Sequence, residues 1–322
     1  MPELLDASDQ SGLPPHTNGT VVTVGTFDGV HCGHRDVVER IVKRASILKT
    51  ASVLITFDPH PLEVVNPAAA PLLLTTREEK LEVLAETGID YLAVLPFTRE
   101  LSEFSAEDFV EIILRRRFRL RELFIGYDHG FGRQRAGNVG VLKSLGERDG
   151  FTVEVVEPVS NPDGHPVSST SIRRAVAGGD LARAAMGLGR PYSVSGSVIQ
   201  GAQRGRTIGF PTLNLGAPSS RKLLPPEGVY AVRVQTPHGP VGGMMNLGPR
   251  PTFGDSTTTL EAHLFDSTGD YYGTNVRIDF VSRLRETRKF PSVDALKEQL
   301  GQDERDARNA LTLFPLPGNL KG

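Results

Sequence analysis

One cysteine, Cys32, is the only thiol in this chain of 322 residues. That excludes an intrachain disulfide framework and any multi-cysteine zinc ribbon or finger, and it suits a reducing compartment, the cytoplasm. No stretch approaches the roughly 18 apolar residues that a bilayer span needs, so the chain reads as soluble, with no membrane partner. The opening Met1–Gly19 has neither a basic start nor an apolar run. It does not resemble a secretory signal and reads as a mobile tail. Charge of one sign is also missing: 36 Lys and Arg against 38 Asp and Glu leave a net charge of −2, which argues against a general nucleic-acid binder. The basic run Arg115-Arg116-Arg117 closes an amphipathic helical pattern, where it complements the helix dipole. A Gly-x-x-x-x-Gly-Lys-Ser/Thr segment is absent too, and ordinary P-loop chemistry goes with it.

What is present belongs to a globular chain, 39% hydrophobic and 23% charged, long enough for two domains. From residue 20 to about 157, strand-like runs (Val21–Val24, Val53–Phe57, Tyr91–Leu95, Leu123–Ile125, Phe151–Val156) alternate with amphipathic helical patterns (His34–Leu48, Arg77–Glu86, Ala106–Arg117, Val139–Arg148). That rhythm predicts a doubly wound α/β domain on a parallel sheet. After Ser168 come two short helices, around Thr170–Ala177 and Leu181–Met186. Closely spaced strands with Gly/Pro turns follow: Tyr192–Ile199, Val229–Val234, Val241–Leu247, Leu260–Phe265 and Val276–Val281. These predict a small β-barrel or sandwich, covered by one or two helices from Ser292 onward. The expected division is a tail over 1–19, an α/β domain over 20–188 and a barrel domain over 189–322, with the boundary near Gly187–Arg190.

The first strand runs into Gly25-Thr26-Phe27-Asp28-Gly29-Val30-His31-Cys32-Gly33-His34 and then a helix. In open α/β sheets ligands lie at the carboxyl ends of strands, where helix N-termini point N–H groups at anions. Glycines such as Gly25 and Gly33 permit close backbone approach, and His31 and His34 share one face of the first turn. Two imidazoles on that face suit the phosphates of a nucleoside triphosphate. A zinc reading of His-x-x-His is weaker, because closed structural sites want four ligands and only His60 and His129 are obvious distant candidates. Cys32 occupies what looks like a variable position of the loop, so a nucleophile there is the lesser reading. Farther on, Ser168-Ser169-Thr170-Ser171-Ile172-Arg173 opens another helix. Its hydroxyls, helix dipole and guanidinium make a second anion clamp, with Ser169, Thr170 and Arg173 as its donors.

In the second half, Gly201-Ala202-Gln203-Arg204-Gly205-Arg206-Thr207-Ile208-Gly209-Phe210-Pro211-Thr212-Leu213-Asn214 carries spaced glycines, Gly201 and Gly209 among them, with Arg206 between. Such a stretch turns tightly with N–H groups toward phosphate. Thr212 and Asn214, two apart, point the same way if extended. A hydroxyl and an amide oxygen are hard donors suited to Mg2+ shared with nucleotide phosphates.

The His-x-Gly-His loop and the Ser-Thr-x-Ile-Arg segment resemble the nucleotidyltransferase superfamily, whose reaction is direct attack on the α-phosphorus with pyrophosphate leaving. Thr56-Phe57-Asp58-Pro59-His60-Pro61, Leu74-Thr75-Thr76-Arg77-Glu78-Glu79-Lys80 and Gly126-Tyr127-Asp128-His129-Gly130-Phe131-Gly132 narrow the likeness. With Pro211-Thr212-Leu213-Asn214, Leu260-Glu261-Ala262-His263 and Asn246-Leu247-Gly248-Pro249-Arg250-Pro251-Thr252-Phe253, they are similar to the prokaryotic bifunctional riboflavin kinase/FMN adenylyltransferase family over about residues 20–310. The resemblance implies ATP, riboflavin and FMN as substrates. It sets Phe57, Pro59, His60 and Asp128 near the flavin or its phosphate, and makes Glu261 the base for the ribityl 5′-hydroxyl. Arg285 falls near flavin or nucleotide, or forms a surface ion pair with a neighbour such as Glu286. His129-Gly130 departs from the family's commoner Phe-Arg at those positions. Two rivals stand beside this reading: an aminoacyl-tRNA synthetase-like activator, disfavoured by the missing Lys-Met-Ser-Lys-Ser-type loop, and a flavin-nucleotide sensor without turnover. The reading is compatible with a homo-oligomer.

Overall fold

The structure, a computed structural model, describes residues 2–5, 13–127, 130, 132, 137–201, 204–249, 258–267 and 269–313, with the side chains of Arg204, Arg206 and Pro249 excepted. The chain packs as two units, divided between Ser169 and Thr170.

In the first unit a six-stranded sheet has the order β1-β4-β3-β2-β5-β6. Its strands are β1 (Glu3–Leu5), β2 (Thr20–Val24), β3 (Ala51–Asp58), β4 (Tyr91–Pro96), β5 (Leu120–Gly126) and β6 (Thr152–Val156), and every pairing is parallel. Alternation along the strands feeds two cores. Val22, Val24, Ile55 and Ile125 join Phe109, Leu114 and Leu142 on one face. On the other, Val21, Leu54 and Phe124 join Val38 and Ile41 of α1 (Cys32–Leu48) and Leu84 of α3 (Arg77–Ala85), which follows the short α2 (Pro61–Val65). Apolar residues on both faces are what a sheet covered on both sides requires. The strand order reverses beside β2, so the crevice at the carboxyl ends of β2 and β5 is the topological switch point.

The opening residues correct the expectation of a mobile tail. Glu3–Leu5 adds an edge strand beside β4; Leu5 and Leu13 are buried, and the Arg119 guanidinium donates to the carbonyls of Pro14, Pro15 and Thr17. The expected helix over 106–117 forms in two parts, after the one-turn α4 (Arg99–Ser102). A capped first turn, α5 (Ala106–Asp108), has Ser105 and Asp108 exchanging hydrogen bonds, and a wider π-type coil covers Phe109–Arg117. The basic run is accounted for locally: Arg115 and Arg116 pair with Glu111, and Arg117 lies over the Phe118 ring. The sheet's last helix is α6 (Val139–Asp149).

The second unit holds α7 (Ser169–Ala177) from its second residue, α8 (Leu181–Leu188), and a closed barrel of order β10-β11-β8-β7-β12-β9. Its strands are β7 (Tyr192–Ile199), β8 (Leu213–Leu215), β9 (Gly228–Thr236), β10 (Gly239–Pro249), β11 (Thr258–Leu264) and β12 (Asn275–Arg285), all antiparallel to their neighbours. A short α9 (Arg204–Thr207) precedes β8, and α10 (Val293–Leu313) packs over β9, β10 and β12. The packing divide falls ahead of the expected Gly187–Arg190, because α8 buries Leu181, Ala184 and Leu188 and rests on β7 and β12. Among the described residues no helix is long and apolar enough to cross a membrane.

Candidate active sites

At the carboxyl end of β2 the chain turns sharply into α1. Phe27, Gly29 and Val30 all take positive φ, at 48°, 82° and 41°. For buried, β-branched Val30 this is a strained conformation, of the kind that persists only where surrounding structure fixes it. Asp28 does much of that fixing. Only 2% exposed, its carboxylate accepts from the main-chain N–H groups of Leu74 (2.9 and 3.1 Å) and Thr75 (3.1 Å). Gly29 N–H donates to Thr75 Oγ1 at 3.0 Å, and the Ser169 hydroxyl donates to the Asp28 carbonyl at 2.9 Å. Asp28, expected among the nucleotide contacts, therefore directs its carboxylate at the loop before α3. Gly25 likewise uses its N–H on the Ile55 carbonyl.

His31 caps α1: its Nδ1 accepts from His34 N–H at 3.3 Å, which leaves the proton of the neutral ring on Nε2. The two imidazoles stack, centroids 3.6 Å apart, and His34 also meets the Phe27 ring at 4.9 Å. A Cβ at Gly33 would stand 3.3 Å from the His31 ring, so glycine lets that ring lie close against the helix start. Burial first, then the charges of His31 and Lys80, hold His34 well below the usual histidine range. Its Nδ1 is buried without a partner among the described residues. Thr170 is exposed and Arg173 half-buried on the first turn of α7, in the second unit.

At the end of β3, Phe57 turns its side chain inward. Its ring is 8% exposed and packs against Phe97 and Phe109, at 5.3 and 6.4 Å, so it forms core behind the site. Pro59 is exposed, and His60 caps α2 by accepting from Leu62 N–H at 3.2 Å. Asp128 and His129 lie outside the described residues. Lys80, in a motif singled out from sequence but given no role, reaches the ends of both β2 and β3.

In the barrel unit a cavity of about 590 Å³ is lined by Thr212, Glu261 and Arg285 together with Asn246, His263 and apolar side chains including Ile208, Phe210, Met244 and Phe290. In register, Glu261 of β11 lies between Asn214 of β8 and Asn246 of β10. Directly opposed residues face the same way, so the carboxylate is flanked by two amides. Asn214 lies against Gly201, where a Cβ would stand 2.2 Å from its amide nitrogen. His263 Nδ1 donates to the Pro211 carbonyl at 2.8 Å, steadying the residue before Thr212. Asn246 and His263 stand in motifs quoted from the sequence but had no role there; cross-strand register is the signal that places them beside Glu261, and it needs the barrel closed. Gly209 takes φ 90° and Arg206 lies in α9, its side chain outside the described residues. Arg285 does not pair with the Glu286 carboxylate. It forks onto Asp303 of α10 at 2.6 to 3.1 Å, and Asp303 is only 2% exposed.

The family model described as FAD synthetase matches residues 13–171, and the one described as riboflavin kinase matches 188–311. Curated relatives named bifunctional riboflavin kinase/FMN adenylyltransferase include that of Escherichia coli K12, 37% identical over 291 residues, 90% of this chain and 92% of that protein. That of Haemophilus influenzae is 38% identical, covering 90% and 94%. A solved structure named as a macrolide-efflux protein from Streptococcus pneumoniae is 30% identical, with a TM-score of 0.83 over 95% of this chain and 99% of that one.

Proposed function

The chain belongs to the bifunctional riboflavin kinase/FMN adenylyltransferase family, and from that premise we propose how its residues divide two ATP-dependent reactions. It phosphorylates riboflavin to FMN and adenylylates FMN to FAD. The kinase reaction belongs to the barrel. Glu261 takes the proton of the ribityl 5′-hydroxyl as that oxygen attacks the γ-phosphorus of ATP and ADP leaves. The apolar walls of the 590 Å³ cavity suit the flavin ring, and Arg285, held by Asp303, lines its side. The position of Glu261 between Asn214 and Asn246 at that cavity carries this reading.

Mg2+ is the ion this chemistry implies. Among the described residues no group of three or more His, Cys, Asp or Glu side chains could hold a metal. A hydroxyl and an amide oxygen, Thr212 and Asn214, fit an ion that takes few protein ligands and keeps water and phosphate for the rest. When bound, it screens phosphate charge and templates the displacement. Gly201, Arg206 and Gly209 surround the phosphates in this reading.

For the second reaction an FMN phosphate oxygen attacks the α-phosphorus of ATP and pyrophosphate leaves. His31 and His34 offer Nε2–H to phosphate oxygens, with Gly25, Phe27 and Gly33 shaping the turn; Ser169, Thr170 and Arg173 are assigned to nucleotide by their motif. Catalysis is positioning and charge stabilisation, with no covalent enzyme intermediate. Pro59, His60 and Asp128 are assigned to the flavin side, and Phe57 backs it from the core. The cytoplasm is the compartment that the single cysteine suits.

The test uses purified full-length variants with ATP and magnesium, flavins separated by chromatography. Glu261→Gln loses FMN formation and still makes FAD from supplied FMN; His31→Ala does the reverse. Loss of both activities from one folded variant overturns the division.

A further inference from the structure

Lys80 is a half-buried cation to which neither reaction gives a part. It lies on α3, whose start is capped reciprocally by Thr76 and Glu79. Its Nζ reaches the Thr26 carbonyl at 3.0 Å, Thr56 Oγ1 at 3.2 Å and the Phe57 carbonyl at 3.4 Å. None of the three can donate to it. Two are carbonyls, and the Thr56 hydroxyl gives its own hydrogen to the Thr26 carbonyl at 3.0 Å. A site made only of acceptors suits an ammonium, which has three hydrogens and no lone pair, better than a neutral amine, which has two and a lone pair that finds no donor there. Lys80 is therefore an ammonium, although burial draws its pKa down; Asp28 and Asp58 oppose that pull, and Arg77 adds to it. Thr26 immediately precedes Phe27, where the strained turn into α1 begins.

We propose, resting on the adenylyl-transfer reading of this site, that Lys80 is its positioning residue: the ammonium pins the Thr26 carbonyl, and with it the turn presenting His31 and His34, and sets a permanent positive charge that His34 senses. The rings of His31 and Phe27 face His34; the charges acting on it come from His31 on its own helix and from Lys80 on α3. Together with burial they keep the His34 imidazole neutral. Because the buried Nδ1 has no partner among the described residues, the single hydrogen belongs on Nε2, since an orphaned N–H is costlier than an orphaned lone pair. His34 then donates to phosphate without carrying a proton that has no acceptor. Protonation of His34 ends that state, and without Lys80 it comes sooner as pH falls.

The experiment measures kcat and KM for FAD formation from FMN and ATP with magnesium across the acid limb of the pH profile. It compares full-length wild type, Lys80→Met and Lys80→Arg, with riboflavin phosphorylation followed in the same samples. In Lys80→Met, kcat at neutral pH falls about 10- to 100-fold while KM for ATP changes little, the acid limb moves to higher pH, and phosphorylation is retained. Lys80→Arg keeps the limb at its wild-type position. An unmoved limb in an active Lys80→Met overturns the role of Lys80; wild type making no FAD at any pH overturns the reading beneath it instead. If Lys80→Met does not fold, 15N-lysine NMR of the wild type decides: an ammonium signal for Lys80 at neutral pH supports the proposal, and a neutral amine refutes it.

Discussion

Asp28 shows how a residue can matter to a site without facing its substrate. Its carboxylate joins the strained turn before α1 to the loop before α3. Asp28→Ala leaves two buried N–H groups without that acceptor, at about 1–3 kcal/mol each before relaxation. We expect a lower urea midpoint and a large loss of FAD formation, with riboflavin phosphorylation kept. His34 gives a pH signature. The unfolded imidazole takes its proton near pH 6.5, while the folded one resists until well below that. The unfolded chain therefore binds more protons in this window, and stability falls as pH drops from about 6.5 toward the folded value. Urea midpoints across that range should fall less steeply in His34→Gln than in wild type; equal slopes would contradict the assignment. At this scale the residue types were legible and their partners were not. His31, His34 and Glu261 stand out in the sequence, but that Asp28 turns to main chain, Phe57 into core and Arg285 to Asp303 depends on elements far apart in the chain.

Elements were the most legible level. Alternation and helical periodicity located the principal strands and helices, because each buries one face or both. Two escaped. The strand Glu3–Leu5 is too short to show a pattern, and β8 is a three-residue strand whose Leu213 and Leu215 are buried around Asn214. That short strand makes Gly201 testable. A methyl there would overlap the Asn214 amide, so Gly201→Ala should displace the amide and cut riboflavin phosphorylation at least tenfold, with FAD formation from FMN unchanged. Between β12 and α10 the buried Arg285–Asp303 pair is the tie, and Gln299 also donates to Asp303. Removing one partner of such a pair strands the other: Asp303→Ala should cost about 3 kcal/mol, read as an earlier thermal transition, and raise KM for riboflavin as Arg285 leaves the cavity wall.

At the scale of the molecule, the FAD synthetase and riboflavin kinase family models match separate stretches of the chain, 13–171 and 188–311. The change of rhythm after Ser168 revealed both units in the sequence; the exact divide was hidden because α8 looks like either a last α/β helix or a first barrel helix until its buried face is seen on β7 and β12. Separate sites require that FMN made at one be usable at another. Mixing Glu261→Gln with His31→Ala, each folded and each unable to convert riboflavin to FAD alone, tests this most directly. Given riboflavin, ATP and magnesium, the mixture should accumulate FAD, with the γ-phosphoryl and the adenylyl group of ATP each entering it once. A mixture that makes no FAD, while wild type at the same total concentration does, would contradict two independent sites.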